Sequence, residues 1–216
     1  MWTSLLAAHE VPVGDRGFIL EHPGALLGPF VYLGAKHMVT GADHLLYLLG
    51  VIFWLYRARD VALYVTLFAV GHSLTLLAGT HAGLAIEAHL VDAVIGASVA
   101  YKAAENLGWL ERWWSHPPNP RLMTLGFGLI HGLGLATRLA DFSLEPASRL
   151  PNPIAFNAGV EVGQLLGLGV MLLVMTSWRR APAFARHARG ANLVLPLAGL
   201  LLAAGQLSDS LRVELT

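Results

Sequence analysis

Residues 34–50 read GAKHMVTGADHLLYLLG and set His37, Asp43 and His44 at the head of an apolar run that continues through 51–56. Imidazole and carboxylate groups bind divalent transition metals of borderline softness, and the same groups serve as general acids and bases. An Asp at mid-bilayer costs about 2.5–3.5 kcal/mol on insertion scales, so it is expected to have a partner. Four other stretches can supply one. Residues 71–75 read GHSLT, with His72 and Thr75 three apart on one helix face and Ser73 between them. A second stretch carries Asp92, Ser98, Lys102 and Glu105, and a third, FGLIHGLGLA at 127–136, holds His131 in a glycine-rich run. The fourth, PNPIAFNAGVEVGQ from 151, brings Asn157, Glu161 and Gln164 to one face.

The elements that must position these groups are transmembrane helices. Of 216 residues, 55% are hydrophobic and only 13% charged, with mean hydropathy +0.58. A soluble domain averages about 25% charged residues. Apolar residues lie in long blocks rather than alternating, which defines an all-α, polytopic membrane bundle. Zero formal net charge and the lack of a dense Lys/Arg patch argue against a nucleic-acid partner. With no cysteine, disulfides, thiolate chemistry and Cys-based metal sites are all excluded.

The blocks predict about six spans, at 38–57, 61–80, 90–107, 122–139, 154–178 and 191–208. Gly24 to Ala35 is also apolar, but short and interrupted by Pro29. Joined to the first span it would exceed a bilayer core of about 30 Å at 1.5 Å per residue, so a break is expected between Gly34 and Gly41. Pro117, Pro118 and Pro120 mark one connection, Pro151 and Pro153 another. Arg57, Arg59, Arg112, Arg121, Arg179, Arg180, Arg186 and Arg189 fall on one side, which the positive-inside rule makes cytoplasmic. Both termini are then extracytoplasmic. The chain divides into an extracytoplasmic segment, 1–23, one transmembrane domain, 24–208, and a short tail, 209–216. Residues 1–23 lack the basic n-region of a secretory signal.

This orientation puts Asp43 and His44 about two turns below the outer surface, His72 and His131 near mid-membrane, and Asn157 and Glu161 in the outer half. Ionisable or amide groups from four helices thus share a level. Plainer roles are assigned to several others. Ser73, Thr75 and Ser98 are expected to bond their own helix backbones, and Gly128 with Gly132 to be plain packing. Asp43 beside His44 reads equally as a pair that fixes the imidazole tautomer. Lys102 and Glu105 read as a snorkelling pair near the inner surface. His9, His22, His81, His89, His116 and His187 fall in connections or tails. Of these, His81 and His89 with Glu87 could collect a cation before entry.

The arrangement resembles the HupE/UreJ family of small bacterial membrane proteins associated with hydrogenase and urease maturation. The matching blocks are the H-x5-D-H element His37…Asp43-His44 with LLYLLG, GHSLTL at 71–76, Asp92…Ser98…Glu105-Asn106, FGLIHGLGLA, and FNAGVEVGQL at 156–165. They stand in family order over about residues 30–166. The resemblance implies a nickel or cobalt permease in which His37, Asp43, His44, His131 and Glu161 handle the metal.

The leading expectation is therefore facilitated uptake of a divalent transition metal, nickel first, with cobalt or zinc as alternatives. Its ligands are His37, Asp43, His44, His72, His131 and Glu161, supported by Ser73, Thr75, Asp92, Ser98, Glu105, Asn157 and Gln164. Spans one to three and four to six run in opposite senses, which permits a 3+3 inverted repeat; Gly34-x-x-His37 and Gly128-x-x-His131 are its sequence echo. The same groups also allow an intramembrane zinc hydrolase, with bound water near pKa 7 and Asp43 or Glu161 as general base. A third reading is a non-transporting accessory subunit. Expected partners are the bilayer of the bacterial inner membrane, the metal, metallochaperones or metalloenzyme maturation proteins, and further copies of the chain.

Overall fold

The computed structural model describes residues 24–84, 86–140 and 148–214. They form eight helices and, among the described residues, no strand: α1 (Leu27–Thr40), α2 (Ala42–Ile52), α3 (Ala58–Ala82), α4 (Ala88–Asn106), α5 (Leu110–Trp113), α6 (Pro120–Ala140), α7 (Pro151–Arg180) and α8 (Phe184–Glu214). Helices α3, α6, α7 and α8 are each long and apolar enough to cross a membrane. The 19-residue α4 and the consecutive helices α1 and α2, taken as one broken span, bring the count to six. The N-terminal segment 1–23, with His9 and His22, lies outside the described residues.

The first span departs from the expected 38–57. Its helix starts at Leu27, because Pro29 sits in the first turn, where a missing backbone N–H breaks no helical hydrogen bond. Asn152 holds this start in place: its Oδ1 accepts from the Leu26 N–H at 2.9 Å and its Nδ2 donates to the Gly24 carbonyl at 3.1 Å. The expected break falls at Gly41, whose backbone is extended (φ −69°, ψ 101°) and separates α1 from α2. Arg179 closes the far end of α2 by donating to the carbonyls of Ile52 and Phe53 at 2.5 and 2.8 Å. This C-terminal cap satisfies carbonyls that have no helical partner.

Three helix pairs build the bundle: α1 with α7, α3 with α6, and α4 with α8. Each closes on glycine, which allows the backbones into direct contact. A Cβ on Gly34 would overlap the Phe156 carbonyl, and a Cβ on Gly128 would overlap that of Phe68. Gly159 meets the Val31 carbonyl in the same way that Gly71 meets that of Leu125. Gly96 lies against the Ala203 N and Gly199 against the Ala100 N, both at 2.7 Å from the added Cβ. Exchanging the first three spans for the last three leaves this pattern unchanged. Phe68-x-x-Gly71 maps onto Phe156-x-x-Gly159, Gly34-x-x-His37 onto Gly128-x-x-His131, and Gly96-x-x-x-Ala100 onto Gly199-x-x-x-Ala203. The two halves are related by a two-fold exchange, and His37 and His131 occupy equivalent places.

Candidate metal-handling site

The break at Gly41 sets the geometry of the site. It ends α1 just after His37 and starts α2 with Asp43 and His44 in its first turn. His44 is 1% exposed and Asp43 3%, and the Asp43 Oδ1 holds both the His44 backbone N–H (2.8 Å) and its Nδ1 (2.9 Å). This fixes the ring orientation and turns Nε2 away from the carboxylate. The expected tautomer-fixing pair is present.

Three other imidazoles stand around His44. The His37 ring lies 5.0 Å away, that of His131 4.8 Å and that of His72 6.2 Å, centroid to centroid. His44 therefore stands between the two symmetry-equivalent histidines, at almost equal distances from both. Both ring nitrogens of His72 are buried without a hydrogen bond among the described residues. Leaving such groups unsatisfied costs roughly 1–3 kcal/mol each, so a structural histidine is a poor account of His72. Ser98 lies 3.2 Å from His131 Nε2 while donating to the Ile95 carbonyl at 2.6 Å. Tyr47 and Phe68 pack on the His131 ring at 5.4 and 5.0 Å.

The arrangement is a row, not a cage. Among the described residues no three His, Asp or Glu side chains converge as one ligand set. Because α1 begins at Leu27, Asp43 and His44 lie deeper than a span starting at 38 places them. His37 is ten residues from the start of α1 and His131 nine from the end of α6, so both stand roughly 14–15 Å from one end of the bundle.

Glu161 takes a different place. It accepts from the Ser73 hydroxyl at 3.1 Å, and both line a membrane-facing groove of about 660 Å³ between α3 and α7. Gln164 lines the same groove, and none of the four histidines does. Ser73 thus bonds across to α7, not to its own helix as expected. Ser73 and Glu161 are equivalent positions in the two halves, so the two-fold axis passes between them. Thr75 bonds its own helix at Gly71 (3.1 Å) and also crosses to the Leu129 carbonyl (2.6 Å). Asn157 Oδ1 is buried without a hydrogen bond among the described residues.

Asp92 is ion-paired with Arg138, both side chains being largely buried. Arg138 lies in the last turn of α6. Glu105 pairs with Lys102 at 2.5 Å, but Lys102 is 5% exposed and does not snorkel. Glu87 caps α4 by accepting from the N–H groups of His89 and Leu90, while the His89 ring meets Gln206 at 2.9 Å. His81, His116 and His187 are exposed. Tyr47, which the sequence reading passed over, lies three residues after His44; that helical spacing was the available signal.

A polytopic helical membrane protein with three buried histidines and a half-buried fourth, drawn from four helices, is the class that fold and site define. The family model described as HupE / UreJ protein matches residues 14–207, and the chain belongs to that family. No match is found among curated proteins or solved structures.

Proposed function

We propose that the chain is a permease for a divalent transition metal, nickel foremost, with cobalt or zinc also admitted. The supporting observation is the row His37–His44–His131, in which one imidazole stands between two that exchange under the two-fold relation. A resident catalytic zinc is held by three converging protein ligands with a fourth position open to water. A cargo ion must instead bind weakly and leave, which suits successive pairs of imidazoles. Inverted repeats with a discontinuous helix at the site are a common transporter architecture, and Gly41 supplies the discontinuity.

In this reading the cation sheds water at the outer face and binds between His37 and His44, with Asp43 offsetting its charge. It then passes to His44 and His131, with His72 as a lateral ligand. The protein sits in the bacterial cytoplasmic membrane with both termini outside, and delivers metal to maturation proteins or metallochaperones. Purified protein in liposomes should take up radiolabelled nickel saturably, and Asp43→Ala should abolish that uptake. Absence of flux together with stoichiometric zinc surviving dialysis would replace this reading with the hydrolase.

A further inference from the structure

A second polar assembly lies beyond Tyr47 on α2, toward the end that the charge distribution makes cytoplasmic. Gly50, one turn after Tyr47, packs on the methylene stem of Lys102; a Cβ there would meet Lys102 Cγ at 3.2 Å. The Lys102 ammonium meets Glu105 Oε1 at 2.5 Å and stands 5.6 Å from the Tyr64 ring centroid. Asn106 donates to the Gly50 carbonyl at 2.8 Å and to Asn192 Oδ1 at 3.1 Å. Phe127 joins this group to the histidine row, its ring 5.2 Å from that of Tyr101 and 5.8 Å from that of Tyr47. The Tyr101 hydroxyl is buried without a hydrogen bond among the described residues.

A lysine near a membrane boundary ordinarily extends its ammonium to water. Lys102 instead turns inward and is 5% exposed. Its charged partner lies three residues away on the same helix, so the ion pair itself joins no two helices. The equivalent positions in the other half are Gly205 and Ser208, both uncharged, so the pair occupies one end of the two-fold arrangement only. A fixed positive charge below the row repels an arriving cation until it moves. The carboxylate it leaves is then available to that cation.

We propose that Lys102 and Glu105 form the inner gate, Lys102 acting as a tethered cation that holds the exit closed and Glu105 as the group that receives the cargo. The nature of the cargo rests on the transport reading; the closure itself does not. The chain has no cysteine, so a single Thr124→Cys reports on the closed region directly. Thr124 is 1% exposed and lies three residues before Phe127 on α6, its hydroxyl donating to the Pro120 carbonyl at 2.9 Å.

Membrane vesicles are treated with an impermeant maleimide on the face carrying the 107–119 connection. With Lys102 in place Thr124→Cys should be protected, and Lys102→Arg should keep it so. Lys102→Met should raise its labelling at least about tenfold. The double change Lys102→Met with Glu105→Gln should do the same, and it leaves no unpaired buried charge that could unfold the protein. Unchanged labelling in both variants overturns the gate. Raised labelling in a protein that transports no nickel, cobalt or zinc keeps the gate and rejects the transport reading.

Discussion

The rings of His44 and His131 meet edge-on at 89° with centroids 4.8 Å apart, although the two residues belong to different halves of the chain. His37, the counterpart of His131, also meets the His44 ring, at 5.0 Å. The central imidazole can therefore share a cation with either flanking one, and Asp43 keeps its Nδ1 occupied in both cases. This relation depends on the break at Gly41, since a continuous helix would carry His37 and His44 on a common face two turns apart.

Removing either end of the contact should weaken metal binding. His131→Ala is expected to lower nickel or cobalt affinity at least tenfold, or about 1.4 kcal/mol. Asp43→Asn, which removes the carboxylate orienting His44, should lower it by about 10- to 100-fold. His116→Ala, on an exposed connection, is the control. Equilibrium dialysis with metal analysis reads all three, and full metal content in both of the first two variants rejects the site.

The glycine seams give a paired test on one helix. Gly128 closes on the Phe68 carbonyl, whereas a Cβ on Gly126 meets nothing within 4 Å. Gly128→Ala should destabilise the protein by about 1–3 kcal/mol through overpacking. Gly126→Ala should be neutral or stabilising by up to about 1 kcal/mol, because alanine is the better helix former. Thermal unfolding in detergent followed by circular dichroism separates them. Equal melting temperatures would mean that α3 and α6 are not in backbone contact.

The helices were legible from block length, since no shorter structure buries the backbone of such apolar runs in lipid. The break before α2 was legible from the same argument, because an unbroken helix would have been too long. The start of α1 was not. Pro29 reads as an interruption until its place in the first turn is known. Pairing the histidines needed only shared depth, which helix position supplies. Assigning Glu161 needed the rotation of α7 about its axis, and periodicity leaves that open when several faces carry polar groups. Hence Glu161 was grouped with the imidazoles, whereas it faces Ser73 in the groove. Asp92 and Arg138 lie 46 residues apart, and no local pattern joins them.

Asn152 is a clamp with a local readout. It is fully buried and supplies both hydrogen bonds that fasten residues 24–26 to α7. Asn152→Ala should cost about 1–3 kcal/mol, two hydrogen bonds less the relief of burying an amide. Hydrogen exchange should accelerate over residues 24–30 while the centre of α7 stays protected. Uniform acceleration across the bundle would instead assign Asn152 a global role.

The ion pair between Asp92 and Arg138 permits a test of sign as well as size. Both side chains are shielded, that of Asp92 2% exposed and that of Arg138 16%. Truncating one partner leaves a shielded charge without its counter-ion, which is worth about 3–5 kcal/mol, whereas removing both avoids that penalty. Arg138→Met should therefore lower the melting temperature more than Asp92→Asn, since the charge it strands is the deeper one. The double variant should recover most of the loss. A double variant no more stable than Arg138→Met alone would show that the arginine acts through its packing and not through its charge.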